Sequence, residues 1–185
     1  MGVALGAVSE RVRTGSRVAR MNGIDVLRDL ATRPRDALLA LRANLTDGVL
    51  NSHPAGHDNS PSWLIWHAGR EIDAQLAPLA GTDEVWTQFR EQLALGELGD
   101  TSGYGHTAEQ ARSIVVHDAG PLLDYFVATT DALLAYLGTL GDADLDDVID
   151  TNWTPPVTRG ARLVSIIDDA AQHIGQAAYA VGAQS

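Results

Sequence analysis

Apolar residues recur along this chain at helical spacing, and strict alternation of apolar and polar positions is scarce. Between Asp25 and about Leu45, the positions Val26, Leu27, Leu30, Leu38, Leu39 and Leu41 predict a first helix with Pro34 set inside it. Proline in a helix interior removes a hydrogen bond and crowds the preceding turn, so a helix starting near Arg35 after a short lead-in is the alternative. A second helix is predicted from Pro61 to about Leu79. Ser60 suits its N-cap and Pro61 its first turn, while Leu64, Ala68, Ile72, Gln75 or Leu76, and Leu79 form the buried stripe and Gly81 ends it. Leu122, Leu123, Phe126, Leu133, Leu134 and Leu137 mark a third helix over about Gly120 to Leu140. Leu163, Ile166, Ile167, Ala170, Ile174, Ala177 and Ala178 mark a fourth over about Arg162 to Val181.

The stretches between these helices read as connectors. Asn51 to Ser62 is rich in His, Pro, Gly, Asp and Asn; Asp83 to Leu95 allows a short helix; Gly96 to His106 is glycine-rich loop. Thr107 with Gln110 matches a capping box and opens another short helix. Pro155 and Pro156 exclude a regular helix from Gly141 to Thr158. Four long helices joined by long connections predict an all-α four-helix bundle with short extra helices in the connections. With 185 residues and 45% hydrophobic positions, one core is the expectation. Residues 1–20 stand apart, with Arg11, Arg13, Arg17 and Arg20 against Glu10 alone. They read as a loosely held extension ahead of a single domain over residues 21–185.

Composition narrows the function classes. There is no cysteine, which excludes disulfides, Cys-ligated zinc and a thiol nucleophile of the protein's own. A net charge of -11 repels phosphate backbones and argues against nucleic acid as a partner. No apolar run reaches the length of a membrane span, and the first twenty residues lack a secretory pattern, so cytoplasmic residence is expected. All 13 basic residues are Arg, a bias that suits a GC-rich, actinobacterial origin.

The candidate chemistry is concentrated on the second and fourth helices. Asp169 and His173 are four residues apart, which at about 100° per residue puts them on one helix face. His67 sits in an apolar stretch, WLIWHAG, and can join them if the two helices are neighbours. Two imidazoles and a carboxylate leave coordination positions open, as catalytic zinc or non-haem iron requires. Each piece also has a bland role, since a lone buried histidine usually bonds to a backbone carbonyl. Asp168 points away, toward solvent. Glu71, four residues after His67, is either a general base or bridging ligand, or a solvated or Arg-paired carboxylate. Arg70, read as part-exposed, either forms a salt bridge or grips a substrate carboxylate. His53, His57, His106 and His117 read as solvated, with His106 also able to cap a helix or border a pocket mouth; Trp63 and Trp66 read as core. The nucleophile elbow, the P-loop, H-E-x-x-H and G-x-G-x-x-G are all absent.

Three stretches, NSPSWLIWHAGREID (Asn59 to Asp73), GYGHTAEQ (Gly103 to Gln110) and WTPPVTRGARLVSIIDDAAQHIGQAAYAVG (Trp153 to Gly182), together resemble the DinB-like superfamily. The likeness is to its actinobacterial branch of mycothiol-dependent S-transferases, related to bacillithiol transferases and to the metal-binding domain of maleylpyruvate isomerase. It implies an up-down-down-up bundle, often a homodimer, with a divalent-metal triad at His67, Asp169 and His173. Asp169 stands where many members carry a histidine. The resemblance implies zinc, with nickel, manganese or iron as alternatives, and a mycothiol-like thiol cosubstrate that attacks an electrophile once activated by the metal. Arg70, Glu71 and Gln176 are then candidates for catalytic or thiol-pocket contacts. A non-catalytic metal-binding or stress-related bundle, and a metal-dependent hydrolase with Glu71 as base, are the competing readings.

Overall fold

The computed structural model describes residues 20–184, so the extension read over residues 1–20 lies, apart from Arg20, outside the described residues. Four long helices carry the fold: α1 (Gly23–Ala40), α2 (Pro61–Ala80), α3 (Ala119–Leu137) and α4 (Arg159–Gly182). Each begins on a side chain that caps an otherwise orphaned backbone N–H: Asn22 for α1, Ser60 for α2, Asp118 for α3 and Thr158 for α4. α1 runs unbroken through Pro34, which is buried in the stripe of Ile24, Leu27, Ala31 and Leu38. The lost hydrogen bond is outweighed there by packing of the stripe, so the later start near Arg35 is not adopted.

Helix directions follow from successive contacts. Arg28 donates to the Leu134 carbonyl at 3.0 Å and Arg35 to Asp131 at 3.1 Å, so α1 and α3 are antiparallel. Ser62 lies beside Ile114 and Asp73 beside Tyr125, so α2 and α3 run the same way. His67 meets His173 while Ser52, ahead of α2, meets Gln184 at the end of α4, so these two are antiparallel. The order is up-down-down-up. α2 and α1 each pack against both α3 and α4, which places the sequence neighbours α1 and α2 on a diagonal.

Every residue of α2 from Pro61 to Arg70 is buried, a wider face than the predicted stripe. The cause is the connector between α2 and α3, which covers the side that a free bundle would leave wet. It holds a 3₁₀ turn at Val85–Gln88 and helical turns at Arg90–Leu93, Gly96–Gly99 and Ala108–Ser113, the last with the predicted Thr107–Gln110 capping box. Two short antiparallel strands, β1 (Val148–Asp150) and β2 (Val157–Thr158), lie in the separate connection from α3 to α4; at two to three residues they are too short for alternation to register. None of the described helices is long and apolar enough to cross a membrane.

The connector between α2 and α3 is fixed by polar contacts. Asp100 accepts from Arg90 Nε at 2.6 Å, Arg90 Nη2 at 2.7 Å and Trp86 Nε1 at 2.9 Å. Arg90 chiefly, and then Trp86, hold the Asp100 carboxyl well below the usual carboxylate range. A depressed carboxylate stabilises the fold above its unfolded pKa of about 4, and the contribution is lost as pH falls from there toward the folded value. The urea midpoint should therefore fall on acidification below about pH 4 less steeply in Asp100→Asn than in the wild type.

Close packing of α2 on α3 depends on Gly69, where a Cβ would stand 2.8 Å from Tyr125 Cε1. Gly69→Ala should lower unfolding stability by about 1–3 kcal/mol in denaturant titrations despite alanine's better helix propensity.

Candidate metal centre

His67, on the second turn of α2, is 5% exposed and buried against the connector. Its Nδ1–H donates to the Ser102 carbonyl at 2.6 Å, which leaves the Nε2 lone pair directed away from the loop. Trp63 stacks on the imidazole with centroids 4.5 Å apart. Gly103 presses on the same ring: a Cβ there would sit 2.8 Å from His67 Nδ1, and its φ of +89° favours glycine in any case.

His173 approaches from α4, its ring centroid 4.6 Å from that of His67 in an edge arrangement. Its Nδ1–H donates to Gln176 Oε1 at 3.0 Å, and its Nε2 lies 3.5 Å from Asp169 Oδ1. One donor atom from each of His67, Asp169 and His173 falls within 4.8 Å of the others. Among the described residues this is the one group of three or more His, Asp or Glu side chains so arranged. A tetrahedral ion with bonds of about 2.1 Å holds its ligands about 3.4 Å apart; the Asp169–His173 pair has that spacing already, and the His67 donor lies within 4.8 Å of both.

The site's electrostatics suit a cation. Burial first of all pushes the His67 pKa down, and the nearby His173 adds to this, so its imidazole is neutral and ready to ligate. The hydrogen bond that the protonated His173 ring donates to Asp169 first of all pushes the His173 pKa up, against the effect of burial. The second carboxylate oxygen of the pair, Asp169 Oδ2, is buried with no hydrogen-bond partner. A buried, unpaired carboxylate oxygen beside two imidazoles is the observation that tests the fit, and it fits a bound divalent ion. Each imidazole is also oriented through its far nitrogen by an oxygen acceptor, the arrangement that metal-ligating histidines adopt.

The remaining sequence candidates fall into three places. Gln176 touches the centre through His173 and lines a cleft of about 1040 Å³ formed by the Ser52–Asn59 loop and the end of α4. Glu71 is half-buried near both imidazoles, but Gln75 Nε2 donates to its carboxylate at 3.0 Å, and neither the bridging-ligand nor the Arg-paired reading is realised. Arg70 is corrected: it is 2% exposed rather than part-exposed, and its guanidinium turns into the protein toward Glu84, at 2.8 Å, and Asp73, at 3.5 Å. A charge so enclosed forms the salt bridge that was the blander expectation.

His53 and His57 line the cleft, and His117 pairs with Asp47 at the surface. His106 does not cap the helix after it, which Thr107 does. Its ring stacks on Trp66, its Nδ1 accepts from Trp63 Nε1 at 3.2 Å, and its Nε2–H donates to Thr101 Oγ1 at 2.9 Å. The Ser102 carbonyl escaped sequence reading because a backbone acceptor carries no residue signature. The two glycines of GYGHT, both at positive φ, were its nearest trace.

The up-down-down-up four-helix bundle thus carries a nitrogen–nitrogen–oxygen triad between α2 and α4 that could hold a metal ion. The chain belongs to the DinB superfamily, whose family model matches residues 30–177. It is similar to a conserved protein from Enterococcus faecalis of known crystal structure, at 37% identity over 89% of this chain and 98% of that one, with a TM-score of 0.81. None of the curated proteins matches it.

The purified protein should bind one zinc ion per chain by elemental analysis after reconstitution and desalting. His67→Ala, Asp169→Ala and His173→Ala should each weaken binding by at least about 100-fold in competition with a chromophoric chelator while leaving the helical circular dichroism unchanged.

Proposed function

We propose that this protein is a divalent-metal-dependent S-transferase that uses a low-molecular-weight, mycothiol-like thiol as cosubstrate. The observation that carries the reading is the unpaired, buried Asp169 Oδ2 beside two oriented imidazoles at the edge of a large cleft. A divalent ion held by His67, Asp169 and His173 would lower the pKa of a thiol at its open position, so that thiolate exists at neutral pH. Zinc suits two imidazoles and one carboxylate best.

The protein's own groups supply the setting. His67 and His173 are fixed in the ligating tautomer by Ser102 and Gln176. The cleft beside them is lined by Ser52, His53, His57, Asn59, Gln176, Tyr179 and Gln184, among apolar residues and without Asp, Glu, Lys or Arg. Imidazole, carboxamide and hydroxyl groups without fixed charge match a neutral, hydroxyl- and amide-bearing thiol. They match an anionic tripeptide thiol poorly, because it would bring carboxylates into a protein of net charge -11 with no cation to receive them. With no cysteine in the chain, the cosubstrate is the only thiol competing for the metal. A cytoplasmic setting, where such thiols stay reduced, completes the proposal.

The zinc-loaded protein should consume thiol with a generic aryl halide faster than the spontaneous reaction, and mycothiol should be preferred over glutathione. A bound Lewis acid is worth several kcal/mol, so His173→Ala should cut turnover by more than about 100-fold. Thiol consumption unaffected by His67→Ala and His173→Ala would reject the proposal. Loss of the electrophile without added thiol would point to water as the nucleophile instead.

A further inference from the structure

We propose that Arg70 is a positioning residue for the metal centre, holding the loop that orients His67. The proposal rests on the metal reading of the triad. Arg70 lies three residues after His67 on α2, so both side chains leave neighbouring faces of the same helix turn and meet the same connector. Its Nε–H donates to the Thr101 carbonyl at 2.9 Å and its Nη2–H to the Asp100 carbonyl at 3.3 Å. The next carbonyl along the chain, that of Ser102, accepts from His67 Nδ1. Three consecutive carbonyls of one loop are thus held by two side chains of one helix turn, two by the guanidinium and one by the imidazole.

The guanidinium is itself held without freedom. It ion-pairs with Glu84 at 2.8 Å, lies near Asp73 and Tyr125 Oη at 3.5 Å each, and stands 5.3 Å from the centre of the Trp86 ring. Asp73 in turn accepts from the backbone N–H groups of Val85 and Trp86 at 2.8 and 2.7 Å, so both ends of the connector segment are pinned to α2. The loop also carries Gly103, packed on His67, and Thr101, whose Oγ1 accepts from His106. A displacement of residues 100–102 therefore frees the His67 ring to turn and takes away the acceptor that fixes its tautomer. Planarity matters here: a five-donor fork can serve two carbonyls and a carboxylate at once, whereas a lysine ammonium cannot span them.

Arg70→Lys keeps the buried charge beside Glu84 and Asp73 while losing the double carbonyl clamp. In the full chain it should weaken zinc binding by about 10- to 100-fold, the effect typical of a lost outer-shell partner. Leu133→Ala opens a buried site on α3 outside this polar network and should leave zinc affinity within about threefold while lowering stability. In metal-free protein, imidazole ¹⁵N shifts should report His67 as protonated at Nδ1 in the wild type and as a mixture of tautomers in Arg70→Lys. Where Arg70→Lys lacks native helical content, the double variant Arg70→Gln with Glu84→Gln, which removes the charge together with its closest partner, should show the same loss. Zinc affinity and His67 tautomer both unchanged in a folded Arg70 variant would overturn the proposal, as would an equal loss of affinity in Leu133→Ala. A wild-type protein that binds no zinc defeats the metal reading alone, because the tautomer measurement still decides what Arg70 does.

Discussion

The contact between α2 and α4 brings an imidazole from one helix against an acid–imidazole pair on the other, and the site follows from how that meeting is made tolerable. Polar groups withdrawn from water cost several kcal/mol unless each finds a partner. Along this seam the partners are distributed unevenly. His67 has the Ser102 carbonyl and His173 has Gln176, while Asp169 shares one oxygen with His173 and leaves the other with nothing. A cation held there would draw on the His67 Nε2 lone pair, on the His173 Nε2 that now faces Asp169 Oδ1, and on the unpaired oxygen together. The antiparallel direction of the two helices makes this register available, because the start of α2 then lies beside the end of α4.

The connector between α2 and α3 does more than join helices. It buries α2 on the side away from the bundle, and so converts a surface histidine position into a walled one. Asp100, Arg90 and Trp86 fasten its middle, Asp73 and Arg70 fasten it to α2, and Gly103 lets the backbone lie directly on the His67 ring. The centre is rigid on that wall and open on the other, where the Ser52–Asn59 loop and the end of α4 leave the cleft. That loop holds Ala55 at a positive φ of 53°, a conformation uncommon for a residue with a side chain and often found near binding sites.

Helical periodicity made the four long helices legible, because each presents an apolar stripe to one core. Capping residues made the starts of α2 and of the Thr107 turn legible as well, since Ser60 and Thr107 act locally. The Asp169–His173 pair could be read because a spacing of four on a helix leaves little choice of geometry. What no local pattern could fix was the adjacency of α2 and α4, for which the superfamily resemblance was needed. The exposure of Arg70 went astray for a related reason: a stripe on one helix does not reveal that a distant connector covers its opposite face. Pro34 left two readings open, a helix running through it or one starting after it; the helix runs through, with Pro34 among the buried residues, because burial of the whole stripe exceeds the loss of one backbone bond. The β1–β2 hairpin was invisible at its length.

The most direct measurement is anomalous diffraction from crystals of the zinc-loaded protein at the zinc edge. A single peak about 2.0–2.2 Å from His67 Nε2, His173 Nε2 and an Asp169 oxygen is the predicted result. A peak held instead by His53 or His57 in the cleft, or no peak between α2 and α4 in a protein saturated with zinc, would contradict it.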